Sequence, residues 1–197
     1  MGRQGVFLVA IDPSTTSTGV SVFRKSRKDW KLENTFLLSE DTKPKKLLAK
    51  DRKQTKAQQK QLQKQFRQEA MLVRINNIIQ NLNGILDKYS PQKIIIEDSY
   101  MNKDPWAYKM LCRLQGAMYE YALLHGAEFQ TKPPSEWRKD IGFPLVENGV
   151  HNKREDFKNL AVEYVKKVFG ITVIDDVAEA ICLGLSETNK SKGDYEK

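Results

Sequence analysis

Cysteine and histidine are each present only twice in these 197 residues. Cys112 and Cys182 both fall in apolar helical patterns, so two buried free thiols of a reducing compartment are expected, not a disulfide framework or a thiolate metal site. His125, at a helix end, and His151, in a loop, lack a triad-like context, so no histidine-activated protein nucleophile is expected. No apolar run approaches the roughly 18 residues that a membrane span needs. The start, Met1-Gly2-Arg3-Gln4-Gly5, leads into a strand-length run and not a signal-peptide core. Val6 breaks the simple myristoylation pattern that Gly2 begins. The expectation is a soluble, cytoplasmic protein with no membrane partner. At this length a single domain over residues 1–186 is expected, with 187–197 too polar to order.

Positive charge is abundant but unevenly placed. The chain carries a net +8, and residues 43–69 hold ten Lys and Arg against only Asp51 and Glu69. That segment therefore carries the whole net charge, and the remainder is neutral. Such segregation is an electrostatic footprint for a polyanion, and the plain alternative is a solvated helix rich in Lys and Gln.

The first forty residues read as three strands. Val6–Asp12 is continuously apolar, as a strand buried on both faces is. Thr18–Arg24 alternates, and Trp30–Leu38 follows a polar turn. After Thr42-Lys43-Pro44, the basic segment 43–69 has good helix formers and no glycine, which predicts a basic helical elaboration. A further helical period starts at Leu72 (Ile75, Ile78, Leu82, Leu86) and stops at Tyr89-Ser90-Pro91. Lys93–Glu97 reads as a strand, Lys103–His125 as a helix with Leu111, Leu114, Met118, Tyr121 and Leu124 facing inward, and Ala127–Thr131 as a strand. Gly116 inside that helix costs about 1 kcal/mol against alanine, which a close helix contact or a dimer interface would explain. Pro134–Ile141 reads as a short helix, Gly142–Asn152 as an irregular loop, and Lys153–Phe169 and Asp175–Leu185 as helices. The layout is α/β, with a central mixed sheet flanked by helices.

Four carboxylates stand where a strand ends or a helix begins. Asp12 closes the run Val6–Ile11, Glu97 closes Ile94-Ile95-Ile96, and Asp176 and Glu179 lie three apart in Asp175-Asp176-Val177-Ala178-Glu179. An acid directly after a buried strand is costly unless positive charge compensates it. Converging acids most often hold hard divalent cations such as Mg²⁺. Asp176 and Glu179 share a helix face, but Asp175, four before Glu179, fits as well, so the register is open by one. Together with the basic segment, these acids point to phosphodiester chemistry. The stretch Asp12-Pro13-Ser14-Thr15-Thr16-Ser17-Thr18-Gly19 makes a tight turn of small residues that lets a metal or phosphate approach the backbone.

The blocks Asp12–Gly19, Glu97-Asp98-Ser99-Tyr100 and Asp176–Ala180, in this order and across nearly the whole chain, resemble the RuvC family of Holliday junction resolvases. Sugar kinases and actin-like ATPases use a similar first turn but need a second domain for which 197 residues leave no room. The resemblance implies a ribonuclease H-like fold with a five-stranded sheet and a metal-dependent endonuclease that cleaves branched DNA, most simply Holliday junctions by paired nicks. It implies Asp12, Glu97, Asp176 and Glu179 as catalytic metal ligands, with Asp175 as the alternative, and Lys153 on the scissile phosphate. Two Mg²⁺ ions per site are expected, with Mn²⁺ able to substitute, Asp12 bridging them, and no protein nucleophile. Tyr100 takes the place of an aromatic that stacks on a base at the branch point. Lys103, Lys53, Lys56, Lys60, Lys64, Arg138 and Lys139 are expected on the DNA. Paired nicks require a twofold-related partner, so a homodimer is expected, with the helix around Leu111–Leu124 as its interface. Three departures from the family pattern stand out. Ser14 replaces a glycine, Glu179 replaces an aspartate or histidine, and the segment 43–69 is longer and more basic. They suggest a phage-type member and broader activity on branched DNA, three-way and forked included. The competing readings are a related nuclease acting on structured RNA and a non-catalytic branched-DNA binder.

Overall fold

Strand alternation decides how this chain layers. In β1 (Phe7–Asp12), Val9 and Ile11 point to one side while Leu8 and Ala10 point to the other, and all four are buried. The structure is a computed structural model that describes residues 5–27, 29–40, 42–48, 51, 54–101, 104–144, 146, 147 and 150–188. β1 pairs antiparallel with β2 (Ser17–Ser26) and parallel with β4 (Lys93–Glu97). β3 (Asp29–Ser39) extends the sheet beyond β2, and β5 (Glu128–Lys132) runs parallel to β4. The order is β3-β2-β1-β4-β5, a mixed five-stranded sheet.

One face is covered by α1 (Lys56–Tyr89) and α2 (Pro105–His125), which bury Ile75, Ile78, Leu82, Leu114 and Met118 against Val9, Ile11, Ile94 and Ile96. The other carries α3 (Pro134–Asp140), α4 (Arg154–Phe169) and α5 (Asp175–Thr188), packed on Leu8, Ala10, Phe23 and Ile95. A two-stranded ribbon of β6 (Val146–Glu147) and β7 (Val150–His151) lies between α3 and α4 in the chain, where an irregular loop was expected. Two residues without side chains let α5 approach the sheet. A Cβ on Gly184 would lie 2.3 Å from the Phe23 ring, and one on Gly19 would lie 1.9 Å from the Asp176 carbonyl oxygen.

Several expectations are corrected. The basic segment is not one separate helix. Residues 42–48 carry no regular structure, and from Lys56 the basic half continues without a break into the core-packing half, as a single 34-residue α1. Thr55 and Gln58 start that helix with a capping box, and no proline interrupts it before Ser90 turns the chain left-handed at φ 45°. Cys112 is exposed and only Cys182 is buried. Leu124 is 76% exposed because the buried stripe of α2 runs through Met110, Leu114, Met118, Tyr121 and Ala122. A Cβ on Gly116 would meet nothing within 4 Å, so no contact among the described residues explains that glycine. Glu187 and Thr188 belong to α5, and the Glu187 carboxylate holds Lys93 Nζ at 2.8 Å. The polar tail expectation otherwise falls on 189–197, outside the described residues. No helix among the described residues is long and apolar enough to cross a membrane.

Candidate active site

The sheet register sets up the site. Leu8, Ala10 and Asp12 project to the α5 side, as do Ile95 and Glu97 on the neighbouring parallel strand. Ile11 pairs with Ile96, so Asp12 and Glu97 stand side by side at the carboxyl ends of β1 and β4. Asp12 also pairs with Gly19 of β2. Because Gly19 has no side chain, the first turn of α5 sits against that row, and Asp176 and Glu179, one helical turn apart, face Asp12. Ligand oxygens of Asp12, Asp176 and Glu179 all lie within 4.8 Å of one another. Glu97 adjoins this trio and lines the same cleft, of about 870 Å³.

Burial makes the cluster electrostatically demanding. Asp12 is 8% exposed and Glu179 4%. Desolvation pushes the Asp12 carboxyl well above its ordinary range, and the Glu97, Glu179 and Asp176 charges push it further. Burial lifts Glu97 to about 7 against the opposing hydrogen bond from the Trp137 indole. Glu179 is also raised, mainly by burial, against the pull of Arg138 and Lys158.

Each acid in the α5 and β4 rows is held by a donor. Trp137, fully buried, donates Nε1–H to Glu97 Oε2 at 2.8 Å. The Ser17 hydroxyl donates to Asp176 Oδ2. Arg138 Nη2 meets Glu179 Oε1 at 3.1 Å, with its guanidinium over the Phe157 ring at 4.4 Å. Lys158 Nζ reaches Asp176 Oδ1 at 3.2 Å and Asp175 Oδ2 at 2.6 Å. The lysine bonds both candidates left open by the spacing, and it is position that distinguishes them. Asp176 belongs to the oxygen cluster with Asp12 and Glu179, whereas Asp175 lies outside it, and the Lys158 hydrogen bond holds its carboxyl below the ordinary range. Crowded, buried carboxylate oxygens fit hard divalent cations, which would relieve the repulsion that the nearby Arg and Lys leave uncompensated.

Other expected residues are placed as follows. Tyr100 stands 66% exposed on the cleft rim. Lys153 is the exposed N-cap of α4, and the following Arg154 forms part of the cleft wall. Arg138 belongs to the site itself, while Lys139 is exposed beside it. Lys56, Lys60 and Lys64 are exposed on α1. Lys53 and Lys103 lie outside the described residues. His125 stacks on Tyr121, away from the cleft. Ser14, where a glycine was expected, does not have a positive φ, so no backbone strain accompanies the replacement. Sequence reading passed over Ser17, Trp137, Arg154 and Lys158. Helical spacing could have flagged the last two, four apart on α4. Nothing local marks Trp137 as a partner of Glu97.

No family model matches the sequence. The sequence is 26% identical over 120 residues to the crossover junction endodeoxyribonuclease RuvC of Dictyoglomus thermophilum, covering 61% of this chain and 72% of that protein. The fold is similar to Thermus thermophilus RuvC in complex with a Holliday junction substrate, with a TM-score of 0.59 and 13% identity over 92% of each chain. It is also similar to a further Thermus thermophilus RuvC structure, at 0.56 and 14%, again over 92% of each chain. The sheet order, with acids at the ends of its central parallel strands, is thus a ribonuclease H-like fold. Within that fold the chain is similar in sequence to RuvC over 120 residues.

Proposed function

We propose that this protein is a metal-dependent endonuclease that cleaves branched DNA and resolves Holliday junctions by paired nicks. The observation that carries this reading is the packing of Asp12, Asp176 and Glu179 within 4.8 Å, beside Glu97, on a RuvC-like sheet. These four carboxylates are the proposed ligands of two Mg²⁺ ions. Divalent ions bound there supply Lewis-acid activation of water and charge neutralisation at the phosphate. The protein's own contribution is preorganisation. Trp137, Ser17 and Arg138 each fix one oxygen of Glu97, Asp176 and Glu179. That leaves little reorganisation for the moment of reaction. Arg154, on the wall of the same cleft as Asp12, is the candidate to receive a phosphate oxygen, a role expected at first for Lys153.

Tyr100, Tyr108 and Leu111 make an apolar wall on the α2 side of the cleft. An exposed tyrosine beside a phosphodiester site suits stacking on a base unpaired at a branch point. Lys56, Lys60 and Lys64, together with Lys139, supply phosphate contacts along the arms. Two nicks need two sites, and α2 offers the pairing surface. Tyr119, Leu123 and Leu124 are 50%, 63% and 76% exposed there, and Gly116 leaves room for a partner helix. On this reading the protein works on DNA in the cytoplasm.

The test offers the purified protein labelled four-way junction, Y-fork, linear duplex and structured RNA with Mg²⁺, side by side. Cleavage restricted to branched DNA, in symmetric pairs at the four-way junction, is expected. Asp12→Asn should lower single-turnover cleavage by at least about 10³-fold while junction binding in Ca²⁺ stays within about threefold. Preferred cleavage of RNA, or wild-type turnover in that variant, would overturn the reading.

A further inference from the structure

The basic stripe of α1 does not end in solvent. Lys60, Arg67 and Arg74 recur every seven residues, two helical turns apart, so they lie on one face. Lys60 and Arg67 are exposed, whereas Arg74 is half-buried. Its Nε donates to the Thr15 carbonyl at 3.1 Å and its Nη1 to the Thr42 carbonyl at 2.8 Å. Thr15 lies in the turn that follows Asp12 and lines the catalytic cleft. Thr42 begins the irregular basic stretch 42–48 that precedes α1. One turn further along α1, Asn77 Nδ2 reaches Glu40 Oε2 at 3.3 Å, and the Glu40 backbone N–H reaches the Thr16 carbonyl at 3.5 Å.

These bonds supplement those within the turn. Its own side-chain bonds are long: Ser14 to Thr16 at 3.2 Å and Ser14 to Thr18 at 3.3 Å. A guanidinium with two well-formed bonds to carbonyls from separate segments is a stronger and more directional brace. We infer that Arg74 is a positioning residue, which fixes the turn behind Asp12 and ties the carboxylate cluster to the basic face of α1. It touches neither the reacting atoms nor the ligand oxygens. It acts through the Thr15 carbonyl, and so through the backbone that aims Asp12. This inference rests on the proposed nuclease reading for its kinetic arm, and on the proposed metal site of that reading for its Mn²⁺ arm.

The test compares Arg74→Gln and Arg74→Lys with the wild-type full chain by three measurements. These are Mn²⁺ binding without DNA by electron paramagnetic resonance, four-way-junction binding in Ca²⁺ by anisotropy, and single-turnover cleavage in Mg²⁺. Misaligned support of metal ligands typically weakens metal binding or activity by about 10–100-fold. Arg74→Gln is therefore expected to weaken Mn²⁺ binding and lower the cleavage rate by about tenfold or more, with junction affinity within about threefold. Arg74→Lys keeps the charge but reaches only one carbonyl, and should recover part of both losses. Wild-type Mn²⁺ affinity in Arg74→Gln overturns the inference. So does a cleavage loss that saturating enzyme restores, since that would make Arg74 a simple phosphate contact. If Arg74→Gln does not fold, Arg74→Lys decides, and wild-type Mn²⁺ affinity there is equally fatal. If the wild-type protein cuts no branched DNA, the nuclease reading fails while the Mn²⁺ titrations still judge Arg74.

Discussion

Trp137 and Glu97 form a pair in which one side chain tunes the other. The indole N–H donates at 2.8 Å to a carboxylate that burial has lifted to about 7, and the bond opposes that lift by favouring the ionised form. Trp137→Phe removes the donor and keeps most of the ring's packing in the cluster with Phe143 and Phe157. Glu97 should then titrate higher still, with a stability cost of about 1–3 kcal/mol. The acid limb of the single-turnover pH–rate profile, taken at subsaturating Mg²⁺, is expected to move to higher pH. The plateau should be largely recovered once the limb is passed. An unchanged limb with a uniformly lower plateau would mean that Trp137 only fills space. The four acids themselves were legible in the sequence, because each follows a strand or opens a helix. Their donors were not. Ser17 meets Asp176, 159 residues away, and Trp137 meets Glu97, 40 away, through a crossing of α3 over the sheet that no local pattern announces.

At the scale of elements, α1 joins two jobs in one rod. Its second half buries Ile75, Ile78, Leu82 and Leu86, and its first half exposes Lys56, Lys60, Lys64 and Arg67. Each phosphate contact steepens the dependence of log affinity on log salt by about 0.9 on duplex DNA. Changing Lys56, Lys60 and Lys64 together to Gln should flatten that slope by about two to three units in junction binding, with little change in melting temperature. A slope that does not move would make the stripe a solvated face. The sheet, its five strands and its two helical layers followed from alternation and period. The unity of α1 did not, since charge composition suggested a boundary near residue 69 where backbone propensity has none. Cys112 and Leu124 were misplaced for a related reason. The apolar residues of α2 exceed what one face buries, and only packing against β4 and α1 selects Met110, Leu114, Met118 and Tyr121.

For the whole molecule, the acid cluster sets how stability depends on pH. Asp12, Glu97 and Glu179 all have raised pKa values in the fold. Between the ordinary carboxyl range and the folded values, the native protein keeps protons that the unfolded chain has released. Stability of the metal-free protein must therefore fall as pH rises through that window, which for Glu97 runs from 4.5 to about 7. Asp175, lowered by Lys158, adds stability only above its unfolded value of 3.8 and loses it on further acidification, so it does not offset the fall. Lys158 and Lys93, raised by their carboxylate partners, lose their contributions only as pH passes 10.5 and above. Divalent metal bound at the proposed site would reverse the trend, because it would favour the ionised carboxylates and release their protons. Thermal melts in EDTA should thus show the melting temperature dropping on the order of 5 °C from about pH 5 to about pH 7. The stabilisation by Mg²⁺ or Mn²⁺ should grow over the same interval. Glu97→Gln, which cannot ionise, should lose part of the drop and part of the metal gain together. A metal-free melting temperature that rises across that interval would mean that the cluster is ionised and compensated within the fold, and would remove the electrostatic argument for a metal there.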